Sequence, residues 1–516
     1  MVKVINMASD KTKTIAKNSI MLYIQMLFSM LVALYTSRVI LNVLGVEDFG
    51  IYNVVGGVVA MFGILNGAMS NSTGRFLTFA LGDQTKNLFN KVFSMALIVH
   101  FLIACIICIG AEVVGFWFLE HKLQISPERM DAAVFVFHCS VFTAFLTIIV
   151  VPYTSAIIAY EKMGVFAYFT LIDLLLKLGV VFAIQAIDWD KLKVYAFLLV
   201  IAQLIMQLVN FSYCFKKIKD THIKKMVWDK SLFKEMTSFA GWSMFGDSAF
   251  ILQNQGLNIL INMFFGTTVN AARGIAVQVQ GVVSRFIGNF QMAMSPQITK
   301  SYASNDFAYF HKLIYASSKY SFFIFLFLAI PILFETNLLL TIWLKVVPEY
   351  TVNFVRILLF ISLISCLANP LILAVKSTGK IKRYEIILGI VSLSVVPLAY
   401  AALKMGYPPE IVYFVHLSIE ITSHIIRLKI VAPMIGLSQK KYFIEVILRC
   451  IVIMLLAMIL PFIIYESMPE SLIRLIFIGI ASTLLVLLLS YFIGMGAGEK
   501  LMIKNIIFSK IKLNKS

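Results

Sequence analysis

Apolar residues run in long stretches along this chain, separated by short polar connections. A helix needs about 20 apolar residues to cross a bilayer, and about 14 segments of that order follow one another. They predict an all-α integral membrane protein with the approximate spans 18–41, 49–71, 92–119, 132–158, 164–187, 194–215, 237–264, 268–298, 318–344, 350–375, 383–404, 409–431, 443–465 and 471–496. The first is too long for a signal-peptide core, so we interpret it as a retained span.

Polar residues interrupt this pattern most strongly in predicted span eight. Ionisable groups at membrane depth are costly and usually face a bundle interior or a water-filled cavity. Span eight therefore predicts the wall of a pathway, with the polar residues Arg273, Gln278, Gln280, Arg285, Asn289 and Gln291.

An internal repeat appears at an offset of 221 residues, which places spans one to three on spans seven to nine. The aligned identities are Gly45 with Gly266, Val58 with Val279, Gly67 with Gly288, Thr78 with Thr299, Phe89 with Phe310 and Lys91 with Lys312. Six spans separate the copies, so both have the same orientation, as in secondary transporters whose substrate site lies between two lobes. The predicted domains are an N-terminal six-helix lobe, a basic cytoplasmic linker, a C-terminal six-helix lobe, and two extra spans with a basic cytoplasmic tail, at 1–215, 216–236, 237–431 and 432–516.

Composition agrees with a membrane protein, because 60% of the residues are hydrophobic and only 14% are charged. The mean hydropathy of +0.90 lies outside the range of soluble domains. Most of the 44 Lys and Arg residues fall on alternate connections, which places both termini in the cytoplasm. The net charge of +18 is thus explained by topology, and we predict no nucleic-acid partner.

The connections predicted to lie outside are short, the longest covering about 120–131, and leave no room for an external catalytic domain. The sequence also contains no nucleotide-binding loop, metal-ligand spacing or nucleophile constellation. The six cysteines lie in or beside apolar segments and imply no disulfide framework. We therefore predict a transporter without cofactor or metal, driven by an ion gradient, the membrane potential or substrate turnover, and no enzyme activity.

Several ionisable residues near the membrane midplane are candidates for ion coupling or gating. Asp173 and Lys177 are spaced i,i+4 on one helix face, where they either neutralise each other for insertion or exchange partners with an anionic substrate. Span twelve carries His416, Glu420 and His424 at successive i,i+4 steps, which indicates a proton path, a cation site or a hydrogen-bonded seam between helices. Asp247 of span seven is a further candidate.

Cationic and amide side chains are candidates for substrate binding. Arg285 lies near the centre of span eight and either lines a cavity, pairs with another helix or extends toward the interface. In span seven the amides Gln255 and Asn258 either contact sugar hydroxyls or hold helices together. The remaining candidates are Arg38, Arg75, Arg273 and Lys177.

Three passages are similar to the multidrug/oligosaccharidyl-lipid/polysaccharide (MOP) flippase superfamily, specifically its bacterial polysaccharide-export branch. They are SRVILNVLGVEDFGIYNVV at 37–55, the glycine-rich second span ending at Gly74-Arg75, and AARGIAVQVQGVV leading to MSPQITKSYAS at 271–304. The resemblance covers about the first 430 residues and extends distantly to the lipid II flippase.

This resemblance implies two six-helix bundles in a V shape that flip an oligosaccharide on a polyprenyl diphosphate by alternating access. The location is then the bacterial inner membrane, with membrane lipids and the polymerase and glycosyltransferases of the same pathway as partners. In the lipid II branch an arginine begins span eight, a position that Arg273 occupies here. The acidic cation ligands of span eleven in that branch have no expected counterpart in residues 383–403.

Two alternatives stay open. A cation-coupled multidrug antiporter of the same superfamily would prefer an acidic cavity, against the excess of buried Arg and Lys here. A membrane enzyme acting on polyprenyl-linked sugar would need external catalytic loops, which the sequence lacks.

Overall fold

The structure is a computed structural model that describes residues 18–500 apart from 31, 33–34, 37–38, 41–42, 46–47, 49, 53–54, 56–62, 84–87, 122–124, 224–225 and 497–498. Every secondary-structure element within these residues is helical. The all-α prediction is therefore confirmed.

One compact unit contains the described residues of 15–244 and 299–305, and we term it the N-terminal unit. Its helix α4 packs against α1, α2 and α6, which places α4 at the centre. Buried apolar side chains such as Ala133 and Phe137 of α4 form its core. The helices are α1 (Gly63–Gly82), α2 (Leu88–Gly110), α3 (Phe116–His121), α4 (Met130–Ala159), α5 (Met163–Ala183) and α6 (Lys191–Lys217).

Helix α7 (Lys230–Ala303) is 74 residues long and contains predicted spans seven and eight. Near its middle, Gly266 has φ +75° and ψ −170°, which breaks the helical geometry between the two spans. Gly45, its partner in the sequence repeat, has φ +79°. Positive φ strongly favours glycine. The two aligned positions therefore require glycine for the same feature of the backbone, a positive φ.

A second compact unit, the C-terminal unit, contains the described residues of 245–298 and those from 306 onward. Helix α10 packs against α8 and α13, and the last two long helices, α15 and α16, pack against each other and against α8. The helices after α7 are α8 (Phe307–Phe334), α9 (Thr336–Leu344), α10 (Thr351–Thr378), α11 (Lys382–Leu393), α12 (Val395–Lys404), α13 (Ile411–Ile435), α14 (Gln439–Tyr442), α15 (Arg449–Ser467) and α16 (Leu472–Leu489).

Ten helical stretches of the described chain are long and apolar enough to cross a membrane. They correspond to predicted spans three to six and nine to fourteen, while spans one and two are only partly described. Spans seven and eight lie in α7, whose polar side chains set it apart. Span nine begins at Phe307 rather than at 318, because the first turns of α8 are helical although they are polar.

Candidate functional site

A cavity of about 420 Å³ lies inside the C-terminal unit, between α7, α10, α11 and α13. Its volume is within the range of small-molecule sites. The wall contains acidic and basic side chains together with one imidazole, and these are Asp247, Lys376, Glu385, His416, Glu420 and Arg427.

Three predicted coupling residues meet at this cavity, which we term the charged cavity. Asp247 reaches it from α7, and His416 and Glu420 reach it from α13. The Glu420 carboxylate accepts a hydrogen bond of 3.3 Å from the Ser365 hydroxyl and lies 4.0 Å from Nη1 of Arg427. Titratable groups from two helices that are far apart in sequence therefore share one space.

His424 is the remaining coupling candidate on α13. It is buried but does not line the charged cavity. The cavity face runs through His416, Glu420 and Arg427. With 3.6 residues per turn, four-residue steps drift around the helix, so a second step from His416 turns His424 away from that face. Its ring lies near that of Tyr442 instead, with the centroids 6.5 Å apart.

Helix α11 contributes an acid that the sequence reasoning missed. Glu385 lies within 383–403, a range not expected to supply such a group, yet its buried side chain lines the charged cavity. A Cβ on Gly246 would lie 2.0 Å from a Glu385 carboxylate oxygen, so the glycine lets this carboxylate approach α7. Sequence reasoning passed over Glu385 because it lies near the start of its span, where a charge resembles an interfacial residue. An acid inside an apolar segment was the available signal.

The second half of α7 exposes a stripe that is not apolar, which we term the α7 stripe. Its exposed members are Ala271, Gly274, Gln278, Arg285 and Gly288, spaced three, four or seven residues apart on one helix face. A Cβ added at Gly274 or Gly288 would meet no atom within 4 Å, so open space lies in front of both. Contact between lipid and the charged or amide side chains of this surface is unfavourable. The α7 stripe is therefore a candidate wall of an aqueous path.

Arg273 lies beside this stripe and braces the two halves of α7 across the break at Gly266. Its guanidinium donates to the Asn254 carbonyl at 2.7 Å and to Oδ1 of Asn258 at 3.3 Å. The Asn258 amide in turn donates to Oε1 of Gln255 at 3.4 Å. Three predicted substrate residues therefore form one local cluster.

The predicted residues of the N-terminal unit have other surroundings. Lys177 forms an ion pair of 2.7 Å with Asp173 one turn earlier, and 45% of the Lys177 side chain is exposed. The Arg75 guanidinium lies 4.4 Å from the centroid of the Phe76 ring and 4.9 Å from that of Phe79. Arg38 lies outside the described residues.

No protein-family model matches the chain, and no curated protein matches it significantly. Solved structures do resemble it. A multidrug resistance MATE family transporter of the MOP superfamily, in an outward-facing conformation, aligns with a TM-score of 0.71 and 14% identity, over 83% of this chain and 96% of its own. A MATE structure in the bent conformation aligns over the same shares with a TM-score of 0.72 and 13% identity.

A MOP superfamily transporter from Pyrococcus furiosus, described as having a binding pocket of reverse polarity, aligns with a TM-score of 0.67 and 14% identity. It too covers 83% of this chain and 96% of its own. These likenesses confirm the predicted fold class: the chain has the multi-pass, all-helical fold of MATE and other MOP transporters.

Proposed function

We propose that the protein is a flippase that moves a polyprenyl-diphosphate-linked oligosaccharide from the cytoplasmic to the periplasmic leaflet of a bacterial inner membrane. It would act by alternating access in the assembly of surface polysaccharide, such as O-antigen, capsule or exopolysaccharide, with both termini in the cytoplasm. The observation that carries this proposal is the α7 stripe, in which Arg285 is exposed and forms no ion pair with any described carboxylate.

The charge of the cargo explains why an arginine should stay unpaired there. A guanidinium has a planar fork of donors that matches phosphate oxygens and keeps its charge at every physiological pH. Arg273 likewise has only neutral partners in the described chain, the Asn254 carbonyl and the Asn258 amide. Arg285 and Arg273 are therefore the leading diphosphate contacts, with Gln255 and Asn258 near enough to Arg273 to contact sugar.

The charged cavity supplies a group of titratable side chains apart from the α7 stripe. A transporter needs a ligand or ion that binds its inward and outward states with different affinity. Asp247, His416, Glu420 and Glu385 line this one cavity, which supports a role for them in taking up or releasing such an ion. We therefore assign coupling to the charged cavity and cargo contact to the stripe.

A cation-coupled multidrug antiporter is the second candidate, because structures with this fold include a multidrug resistance transporter. The carboxylates of the charged cavity are compatible with it. Arg285 of the α7 stripe and Arg273 beside it oppose this function, since both would repel an organic cation. One fold hosts several functions, so the site and not the fold must decide the cargo.

The deciding experiment measures translocation of a fluorescent polyprenyl-diphosphate oligosaccharide in proteoliposomes that contain the full chain. Arg285→Ala is expected to lower the rate by about tenfold or more, because it removes a charge-assisted contact to phosphate. Arg285→Lys keeps the charge without the fork and should fall between Arg285→Ala and the wild type. Lys441→Ala is the matched control, because Lys441 is an exposed cation of the same unit whose nearest carboxylate, Glu445, lies 4.0 Å away.

Efflux of an organic cation from the same liposomes tests the alternative. Drug efflux without glycolipid translocation would replace the flippase with the antiporter. A well-folded Arg285→Ala variant with normal glycolipid flux would remove Arg285 from the path.

A further inference from the structure

Arg273 is a charged side chain that has only neutral partners. It donates to the Asn254 carbonyl and to the Asn258 amide oxygen, and its buried Nε has no hydrogen-bond partner in the part of the chain that the structure describes. Within the described part of the chain, no carboxylate forms an ion pair with it. Because a partly buried guanidinium without a counter-charge is costly, this position favours the arrival of an anion.

Arg273 is also connected to the charged cavity. Asn254, whose carbonyl it binds at 2.7 Å, belongs to the cavity wall together with His416. The charge of Arg273 acts on the His416 ring and on the Tyr413 hydroxyl one turn earlier on α13. His416 is only 7% exposed, and its Nδ1 has no hydrogen-bond partner among the described residues. A buried imidazole with a free nitrogen therefore lies within electrostatic range of an arginine that lacks a counterion.

Other ionisable groups share the charged cavity with His416 and form its electrostatic background. Helix α12 packs against α13 but contributes no side chain to the described cavity wall. The groups are Asp247 on α7, Lys376 on α10, Tyr384 and Glu385 on α11, and Glu420 and Arg427 on α13. All of them stay unchanged in the variants described below, so the background is the same in each measurement.

We propose that binding of a phosphate-type anion at Arg273 and uptake of one proton at His416 favour each other. The proton enters from solvent onto the free ring nitrogen, and no bond of the cargo is made or broken. A protonated His416 and a bare Arg273 repel each other, and an anion on Arg273 removes that repulsion. Because linkage is reciprocal, the proton must tighten anion binding by the same factor.

Arg273 and His416 would then couple the binding of an anionic cargo to the uptake of a proton. The identity of the anion as a lipid-linked diphosphate rests on the proposed function. The linkage itself needs only an anion of the phosphate type.

Inorganic sulfate is a suitable probe, because its charge is constant over the range in which histidine titrates. Because burial disfavours a charged imidazole, calorimetry on the full chain in lipid nanodiscs should extend to acid pH, and it should show sulfate binding about tenfold tighter near pH 4 than near pH 8. Close to pH 5, addition of sulfate to weakly buffered protein should be accompanied by measurable proton uptake.

Variants separate the two partners. Arg273→Gln should lose most sulfate binding, whereas His416→Asn should still bind sulfate, with an affinity that no longer depends on pH and without proton uptake. His424→Asn is the matched control, because His424 is a buried histidine on the same helix that does not line the charged cavity. It should behave like the wild type.

Three results would overturn the linkage: no sulfate binding by the wild type, binding that is independent of pH, or a pH dependence that survives in His416→Asn. These outcomes are distinct from failure of the proposed function. If glycolipid translocation is absent but sulfate and proton binding are linked, the flippase assignment fails and the linkage stands for another anionic cargo. If translocation depends on Arg285 but sulfate binding does not respond to His416, only the linkage fails.

Discussion

Two kinds of arginine in this protein differ in what surrounds the guanidinium. Carboxylates lie beside Arg129 and Arg474, and none of the described carboxylates pairs with Arg273 or Arg285. Arg129 binds Asp48 through two hydrogen bonds of 2.8 and 2.6 Å, with a third of 2.7 Å to Asp190. Arg273 and Arg285 form no ion pair with a described carboxylate. Arginines that hold helix ends together are thus neutralised by the protein, whereas Arg285 on the α7 stripe and Arg273 beside it have no such counter-charge among the described residues.

The paired arginines connect the ends of different helices through ion pairs. Arg129 joins the start of α4 to Asp190, the residue that caps α6, whose carboxylate also accepts from the backbone N–H groups of Leu192 and Lys193. Arg474 joins the start of α16 to Glu335, between α8 and α9, with contacts of 2.5 and 2.9 Å. Removing a paired arginine should therefore damage stability, and removing an unpaired one should damage function.

The largest expected effect is on stability. Arg474→Met leaves the Glu335 carboxylate, which is 1% exposed, without its counterion, and should lower the free energy of unfolding by about 3 kcal/mol. Arg285→Met should change it by less than about 0.5 kcal/mol, because Arg285 is exposed and unpaired. Denaturant unfolding followed by fluorescence in detergent measures both. Equal losses in the two variants would erase the distinction between paired and unpaired arginines.

The second prediction concerns two glycines in equally open positions. A Cβ at Gly288 on the α7 stripe or at Gly479 in α16 would meet no atom within 4 Å, so a leucine should fit both folds. The neighbours of Gly479 in sequence are exposed and apolar, for example Ile476 and Ile480, as lipid-facing positions should be. Gly288→Leu is expected to slow glycolipid translocation about tenfold by narrowing an aqueous path, a barrier change of about 1.4 kcal/mol. Gly479→Leu should leave the rate unchanged.

Both variants should retain the melting temperature of the wild type, which separates blockage from misfolding. If Gly288→Leu transports normally, the α7 stripe does not line the path.

Apolar runs predicted most of the helices, because a span is a local property of about 20 residues. The break between predicted spans seven and eight was placed between 264 and 268, and the structure has it at Gly266. The charged cavity was less accessible to sequence reasoning. Asp247 and Glu420 were candidates, but only the packing of α7, α10, α11 and α13 shows that they meet. Glu385 was missed because it lies near the start of its span, and its place in the cavity wall depends on a close approach to Gly246 that the sequence does not show.

The smallest expected effect concerns the pH dependence of stability that the ion pair between Arg129 and Asp190 confers. Burial raises the pKa of the Asp190 carboxyl, but hydrogen bonds from Arg129 and from backbone N–H groups outweigh it, so the net pKa is lowered. A carboxylate with a lowered pKa stabilises the folded state above its ordinary pKa of about 4, and this contribution is lost as pH falls through the lowered value.

The melting temperature of the wild type should therefore fall between about pH 5 and pH 3 by about 2 °C more than that of Asp190→Asn, since a partly exposed pair, 26% and 29% accessible, contributes little. Asp131→Asn is the control, because the Asp131 side chain is 87% exposed and pairs only with Lys193 among the described residues; it should keep the wild-type slope. An Asp190→Asn variant with that same slope would show that Asp48 alone neutralises Arg129. Arg129 would then have one effective ion pair, and its contrast with Arg273 would rest on one carboxylate instead of two.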